Sequence, residues 1–240
     1  MEYLHNRFTL ELSPEGFPLS TDSIALSDFA KLPRNASVLA LGSGCGTLGL
    51  LLCARDSHCR VTGIELDENA HKAALHNAQC NRIEHRLTSI CADLRTIPSF
   101  IDAGCYSTCI SNPPYFSSGP KSKTIPHARR DDLCSMNDLM SAAAWALKYG
   151  GDFYLVHRPE RMAELFTCAA NHKLEPKRLL LLRHRADGDI SLILVQCRRG
   201  ASPGLQIEES CLYDSKQQPT DYYRRLYHLE EDALCPEYFT

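Results

Sequence analysis

The sequence lacks an excess of positive charge. Its 240 residues include 26 Lys and Arg against 29 Asp and Glu, which gives a formal net charge of −3. A protein that binds nucleic acid over a generally basic surface has the opposite balance. We therefore expect any contact with phosphate groups to come from local basic clusters. Internal repeats and low-complexity tracts are also lacking, and the composition is that of an ordinary globular chain.

The twelve cysteines lack the spacing of a metal site. The closest pair is Cys105 and Cys109, and the sequence contains no CxxC pair and no Cys/His quartet with zinc spacing. Residues 1–7 lack the charged-then-apolar pattern of a signal peptide, which would accompany a secreted, disulfide-rich chain. We therefore expect reduced cysteines, no metal and a cytoplasmic protein.

A continuous apolar run of membrane-spanning length is also missing. Residues 35–54 carry no charge and approach the roughly 20 residues that span a bilayer. Four glycines and two serines interrupt this stretch, and each glycine costs a helix about 1 kcal/mol. A strand, a loop and a buried helix explain the stretch better, so we expect no membrane partner.

Apolar patterns predict alternating strands and helices through most of the chain. The predicted strands are 37–41, 60–65, 87–91, 108–111, 152–157, 177–185 and 191–198, the last two forming an antiparallel hairpin. The predicted helices are 24–32, one starting near residue 48, 68–80, and one that Ser135 caps and that ends at 149–151. Ahead of them, residues 8–12 and 17–19 predict a small hairpin.

A glycine-rich turn follows the first long apolar strand. It contains Gly42, Ser43, Gly44 and Gly46. Glycines at a strand-to-helix turn let the backbone approach a ligand closely and leave helix N-terminal amides free to bind it. The turn therefore indicates a cofactor site, although a merely tight connection remains the alternative.

Two acids follow the next two predicted strands. Glu65 ends the strand 60–65, nineteen residues beyond Gly46, the placement of an acid that accepts hydrogen bonds from a ribose. Asp93 follows the strand 87–91 and is placed to accept from the exocyclic amine of an adenine, unless it is a helix cap or a solvated loop acid. Together with the glycine turn, these acids indicate an adenosine-containing cofactor, either a dinucleotide or S-adenosylmethionine. Their neighbours Leu66 and Leu94 are further candidates for contacts with it.

The motif after the predicted strand 108–111 favours S-adenosylmethionine. It consists of Asn112, Pro113, Pro114 and Tyr115, followed by Phe116. An adenine-type amine is a poor nucleophile, and the Asn112 side-chain oxygen and the Pro113 carbonyl could accept its two N–H groups. Prolines fix φ, and Tyr115 could stack on the ring. A proline turn after a strand is the alternative.

In this order, the glycine turn, Glu65, Asp93 and the NPPYF motif resemble class I S-adenosylmethionine-dependent methyltransferases that modify amino nitrogens. The blocks 16–22, 128–130 and 153–161 and the tail from 222 to 239 resemble the bacterial adenine-N6 methyltransferases that act on a valine tRNA beside its anticodon. This resemblance covers nearly the whole chain.

The resemblance implies a Rossmann-like α/β fold. The expected sheet has seven mostly parallel strands with an antiparallel C-terminal hairpin strand, and helices cover both faces. We expect one methyltransferase domain, residues 1–240, with an N-terminal appendage (1–34), a catalytic core (35–200) and a tail packed on the core (201–240). We also expect a monomer that binds S-adenosylmethionine and tRNA.

One residue departs from the pattern of this family. The family usually carries an acid two residues before the first glycine of the turn, where this chain has Ala40. Asp22 of the Thr21-Asp22 segment could replace that acid, which would place both residues in the cofactor site together with Asn112. Otherwise cofactor affinity is weakened, or the protein is a degenerate binder.

Two basic clusters are candidates for RNA contacts. The loop beside the motif carries Lys121, Lys123, Arg129 and Arg130, and the predicted hairpin carries Arg178, Arg183 and Arg185. Such residues could grip phosphates around a flipped nucleotide, with Phe116 also on the substrate side. A solvated loop and a charged edge strand are the alternatives. The predicted function is adenine-N6 methylation of tRNA; an amino methyltransferase acting on DNA, rRNA or a protein glutamine, and a non-catalytic binder, remain open.

Overall fold

The structure is a computed structural model that describes residues 2–4, 8–12, 19–113 and 134–229. Its strands are β1 (Glu2–Tyr3), β2 (Thr9–Leu10), β3 (Ser37–Leu41), β4 (Arg60–Glu65), β5 (Leu87–Cys91), β6 (Tyr106–Ser111), β7 (Leu147–His157), β8 (Leu174–Arg185), β9 (Ile190–Arg199) and β10 (Gln206–Tyr213). Its α-helices are α1 (Thr21–Phe29), α2 (Thr47–Arg55), α3 (Glu68–Cys80), α4 (Met136–Ala146), α5 (Met162–Asn171) and α6 (Asp221–Leu226).

Eight strands form one sheet in the order β10-β8-β9-β7-β6-β3-β4-β5. Strands β3 to β7 are parallel to one another, and β9 is antiparallel to both β7 and β8. Strand β8 therefore runs in the same direction as β7, and β10 is parallel to β8. We call the side of the sheet where β3 to β8 and β10 end, with β9 starting there, the carboxyl edge.

The central strands are buried on both faces, as a parallel sheet requires. Alternate residues of β3 enter two different cores: Val38 and Ala40 pack on the side of α1, α2 and α6, whereas Leu39 and Leu41 pack on the side of α4 and α5. Burying these apolar side chains is the main favourable term in folding. The α/β Rossmann-like architecture with helices on both faces is confirmed.

The number of strands differs from the prediction of seven. Strand β10 adds an eighth, pairing with β8 from Gln206↔Arg178 to Tyr213↔Arg185. Polar and apolar residues do not alternate regularly in β10, and its first residues are exposed. An edge strand needs few apolar residues, because one of its sides has no neighbouring strand. Because of its polar residues, β10 does not form the apolar run from which a strand is predicted.

Other boundaries also differ from the sequence predictions. The helix α1 covers Thr21–Phe29 rather than residues 24–32, because the backbone is already extended at Ala30. The helix α4 ends at Ala146 rather than at 149–151, because β7 already begins at Leu147, which pairs with Tyr106. Near the N-terminus, β2 pairs with β1, whereas the predicted partner 17–19 lies mostly outside the described residues. Within the described ranges, no helix is long and apolar enough to cross a bilayer.

The end of β7 contains a buried histidine. His157 is fully buried, and the backbone N–H of Arg158 donates to its Nδ1 at 2.8 Å. Burial, together with the nearby charge of Arg161, lowers the pKa of His157 to about 4. The ring is therefore neutral at physiological pH, with its proton on Nε2.

The substitution His157→Gln should make stability less sensitive to acid. An unfolded histidine has a pKa of about 6.5, so between pH 6.5 and about 4 the unfolded chain binds a proton that the native chain does not. Stability from neutral His157 is present above this range and lost as the pH falls through it. Urea unfolding at several pH values should show a smaller loss for His157→Gln, which keeps an acceptor for Arg158. Equal losses in the two proteins would contradict this account.

Candidate functional site

The glycine turn has a backbone that only glycine adopts readily. Gly42, Gly44 and Gly46 have φ values of +66°, +56° and +86°, in the left-handed region. A Cβ added at Gly42 or Gly44 would meet nothing within 4 Å. The turn is therefore open on the side where these side chains would stand, which leaves space for a ligand close to the backbone.

Ser43 connects the glycine turn to the neighbouring strand β4. Its N–H donates to the carbonyl of Ile64 at 3.0 Å, and its buried Oγ has no hydrogen-bond partner among the described residues. A Cβ at Gly63 would lie 2.5 Å from that oxygen, so Gly63 provides the space that the serine occupies. Ser43 thus ties the turn to β4, with its hydroxyl directed into the sheet.

The Glu65 carboxylate joins two turns at the carboxyl edge. Its Oε2 accepts from the N–H of Gly44 at 2.8 Å, and its Oε1 accepts from the N–H of Asp67 at 2.9 Å. Each carboxylate oxygen can accept a second hydrogen bond. Leu66 follows with 48% of its surface exposed, an apolar surface beside the acid. Glu65 and Leu66 therefore offer both acceptors and a hydrophobic contact.

Asp93 is a helix cap in this structure. It accepts from the N–H of Arg95 at 2.9 Å and caps the 3-10 turn Leu94–Ser99. The Arg95 guanidinium also forms an ion pair with the carboxylate at 2.5 Å, and this hydrogen bond lowers the pKa of Asp93. The capping alternative considered for Asp93 is thus observed, and Leu94 packs against the apolar core beside it.

Asn112 follows β6 and contacts the first turn of α1. Its Nδ2 donates to the Oγ of Ser23 at 3.0 Å. On the same turn, Oγ1 of Thr21 forms a 2.8 Å hydrogen bond with the hydroxyl of Tyr227, just beyond α6. The predicted segments Thr21-Asp22 and Asn112 are therefore brought together. Ser23 and Tyr227 were not predicted as site residues, because nothing in the sequence reveals these long-range pairs.

Asp22 occupies a half-buried position next to Ser23. Burial raises its pKa, and the positive charge of Arg158 partly opposes this effect. Arg158 directly follows β7, the neighbour of β6. The carboxyl edge therefore holds an acid whose ionised form is less favourable than that of an ordinary aspartate.

Ala40 provides no polar atom at the centre of this edge. It is 1% exposed and lies between Gly63 of β4 and Ile110 of β6. Asp22, which precedes Ser23 on α1, therefore stays the candidate to replace the acid that is missing here.

The hairpin arginines each contact an acid instead of forming one positive surface. The side chain of Arg178 is 14% exposed, pairs with Glu208 at 3.2 Å and lies over the ring of Phe29. Arg183 lies 3.7 Å from Glu209, and Arg185 bonds Asp187 at 2.9 Å. Only Arg183 and Arg185 are near the end of β8 at the carboxyl edge.

Several predicted site residues lie outside the described residues. They are Pro114, Tyr115, Phe116, Lys121, Lys123, Arg129 and Arg130. Pro113 is described and buried. Among the described residues, no group of three or more His, Cys, Asp or Glu side chains is arranged to hold a metal ion.

Curated relatives share one description, tRNA1(Val) (adenine(37)-N6)-methyltransferase. The protein from Shewanella halifaxensis (strain HAW-EB4) is 30% identical over 176 residues, covering 72% of this chain and 71% of its own. One from Aeromonas hydrophila is 31% identical over 186 residues, covering 76% and 77%. One from Shewanella sp. (strain W3-18-1) is 28% identical over 244 residues, covering 97% and 98%.

Solved structures share the fold at lower identity. A predicted O-methyltransferase from Agrobacterium tumefaciens has a TM-score of 0.73 and 18% identity, covering 87% of this chain and 96% of that one. The T. thermophilus 16S rRNA N2 G1207 methyltransferase, in complex with AdoMet and guanosine, has a TM-score of 0.54 and 18% identity, covering 78% and 45%.

A family model described as Methyltransferase small domain matches residues 22–169. This segment begins at Asp22 and includes the glycine turn, Glu65, Asp93 and Asn112. It therefore contains the acids and the amide that the sheet brings to its carboxyl edge. The match covers more than half of the sequence, and the chain belongs to the family of methyltransferase small domains.

Proposed function

We propose that the protein transfers a methyl group from S-adenosylmethionine to the N6 amine of an adenine in tRNA. The observation that carries this proposal is the placement of Asn112 at the carboxyl edge. Its Nδ2 donates a hydrogen bond to Oγ of Ser23, and no described residue donates to its Oδ1. An amide held in this way presents an acceptor oxygen beside the glycine turn.

The described residues fit a bound S-adenosylmethionine. The open backbone at Gly42 and Gly44 and the second lone pairs of Glu65 suit the ribose end, with Leu66, Asp93 and Leu94 toward the adenine. We assign Thr21 and Asp22 to the methionine end, which is supported by the contact of the next residue, Ser23, with Asn112. Ser43 and Gly46 would contribute through their backbone.

The chemistry needs an acceptor more than a strong base. When bound, S-adenosylmethionine would supply a methyl group activated by its sulfonium: the C–N bond would form as the C–S bond breaks, S-adenosylhomocysteine would leave, and the methylated amine would give one proton to water. The Asn112 oxygen would accept one N–H of the amine and the Pro113 carbonyl the second, which keeps the nitrogen lone pair on the nitrogen instead of delocalised into the ring, so that it can attack the methyl group. Positioning and charge stabilisation provide most of the remaining rate enhancement.

The relatives support a tRNA substrate. Their shared description names adenine 37 of a valine tRNA, and the alignment with one of them spans 97% of this chain. Phe116 and the loop residues Lys121, Lys123, Arg129 and Arg130 would then contact the RNA. We further propose that the protein acts in the cytoplasm as a monomer, without a metal and as one domain comprising residues 1–34, 35–200 and 201–240.

Transfer of tritiated methyl groups to separate RNA, DNA and protein pools tests the substrate class. We expect label in tRNA alone. Label in DNA or protein would favour an amino methyltransferase with another substrate. If the protein binds S-adenosylmethionine but labels no pool, it is a degenerate binder, the alternative that the missing acid at Ala40 suggested.

The substitution Asn112→Ala should lower kcat by at least about 10²-fold, as expected for a positioned polar group that acts in the transition state. Calorimetry should show S-adenosylmethionine binding within about twofold of wild type, because the glycine turn and Glu65 are untouched. Unchanged turnover in the variant would remove the role of Asn112.

The substitution Asp22→Asn should stabilise the fold while weakening the binding of S-adenosylmethionine. Burial raises the pKa of Asp22, so the folded protein binds a proton at this carboxyl group more tightly than the unfolded chain does. The stability that the protonated form contributes is lost as the pH rises above the unfolded pKa of about 3.9. At pH 7 the amide should therefore raise Tm. Losing a charge-assisted hydrogen bond should weaken S-adenosylmethionine binding by roughly 1–3 kcal/mol.

Asp28→Asn is the matched control for Asp22→Asn. Asp28 lies on the same helix and pairs with Arg225 at 3.2 Å, so its replacement should leave cofactor affinity unchanged. Equal affinity in the Asp22 variant and the wild type would assign the methionine end to other residues.

The two basic clusters should contribute unequally to RNA binding. Each phosphate neutralised by a basic residue contributes about 0.7–0.9 to the slope of log affinity against log salt. Replacing Lys121 and Lys123 by Ala should flatten the slope by roughly 1.4–1.8 units. Replacing Arg183 and Arg185 should flatten it by less than about 1 unit, because both already contact acids. Equal changes for the two double variants would contradict this ranking.

A further inference from the structure

The proposed role of Asn112 depends on which end of its amide faces the substrate. The oxygen and the nitrogen of an amide are similar in size, and a half-turn of the side-chain amide exchanges them. Facing the substrate with Nδ2 would place N–H against N–H, which gives no hydrogen bond. The reaction therefore needs something that holds the nitrogen on the protein side.

Ser23 is in a position to hold it. Its Oγ accepts from Nδ2 of Asn112 at 3.0 Å, and the residue is 7% exposed. Its Oγ also accepts from the hydroxyl of Ser20 at 3.4 Å, while the N–H of Ser23 donates to Oγ of Ser20 at 3.3 Å. Because Ser20 and Asn112 both donate to the Ser23 oxygen, its two lone pairs are occupied, and a flipped Asn112 amide would require the Ser23 hydroxyl to turn before it could donate.

We infer that Ser23 is a positioning residue, whose hydroxyl fixes the amide of Asn112 so that its oxygen faces the target amine. The inference rests on the proposed function. It assigns to the first turn of α1 a part in methyl transfer that is separate from binding the cofactor.

The helix α1 has other anchors, so loss of one hydroxyl should leave it in place. Arg55 donates to the carbonyls of Ser27 and Ala30, and Thr21 bonds to Tyr227. The helix also buries Leu26 and Phe29 in the core. The variant Ser23→Ala should therefore change the orientation of Asn112 while the fold persists.

The test combines Ser23→Ala with Asn112→Asp. A carboxylate has two equivalent oxygens, so an aspartate at position 112 presents an acceptor in either orientation and needs no partner to orient it. We expect Ser23→Ala to lower kcat about 10-fold in the otherwise native protein, the effect of one lost hydrogen bond. In the Asn112→Asp background it should change kcat by less than about twofold.

The control is Ser27→Ala, one turn further along the same helix and buried to a similar degree. It should leave kcat unchanged, and the dissociation constant for S-adenosylmethionine should be unaltered in both serine variants. A 10-fold loss that persists in the Asn112→Asp background would show that Ser23 acts through the helix and would overturn the inference. No measurable transfer by Asn112→Asp would overturn it as well, since an acceptor oxygen would then not be what the site requires.

The failure of this inference differs from failure of the proposed function. If Asn112→Ala is slow and Ser23→Ala has normal kcat, only the role of Ser23 is lost. If Asn112→Ala turns over normally, the role of Asn112 is lost too.

Discussion

The hydrogen bond between Asn112 and Ser23 connects the two parts of the molecule on which the site depends. Asn112 is fixed by β6 in the middle of the sheet, whereas Ser23 belongs to a helix that precedes every strand of that sheet. The same helix turn bonds to Tyr227 near the end of the described chain. Segments far apart in sequence therefore meet at one place, beside the glycine turn.

The same edge shows a balance between stability and function. Glu65 is satisfied by backbone N–H groups from Gly44 and Asp67, so it stabilises the turn and still has lone pairs for a ligand. Asp22 is different, because burial makes its charge unfavourable. An acid whose charge costs stability is expected if Asp22 binds the cofactor as proposed. The candidate role of Asp22 follows from Ala40, because β3 carries no acid at that position.

The sequence predicted the central part of the fold closely. The bounds of β3, β4, α3 and β5 agree with those predicted, because buried parallel strands are continuous apolar runs and the helix has a clear N-cap at Asp67. Strand β10 was missed because Glu208 and Glu209 interrupt its apolar pattern. The end of α4 was placed too late, since Gly150 with φ of +78° lies inside an extended segment instead of ending a helix.

The candidate site was predictable where a residue follows a strand. Glu65 ends a parallel strand, Asp93 and Asn112 follow parallel strands, and the carboxyl ends of such strands meet at one edge. The partners of these residues were not predictable: Arg95 occupies the Asp93 carboxylate, and Ser23 lies 89 residues before Asn112. Contacts of this kind depend on how helices pack on the sheet, which local patterns do not encode.

The central claim is that the carboxyl edge directs a methyl group to the N6 amine of one adenine. The most direct test is nucleoside mass spectrometry of a valine tRNA transcript after incubation with the protein and S-adenosylmethionine, compared with a transcript carrying guanine in place of adenine 37. The account predicts N6-methyladenosine in the first transcript and none in the second. N6-methyladenosine in both, or methylation of a different nucleoside, would contradict it.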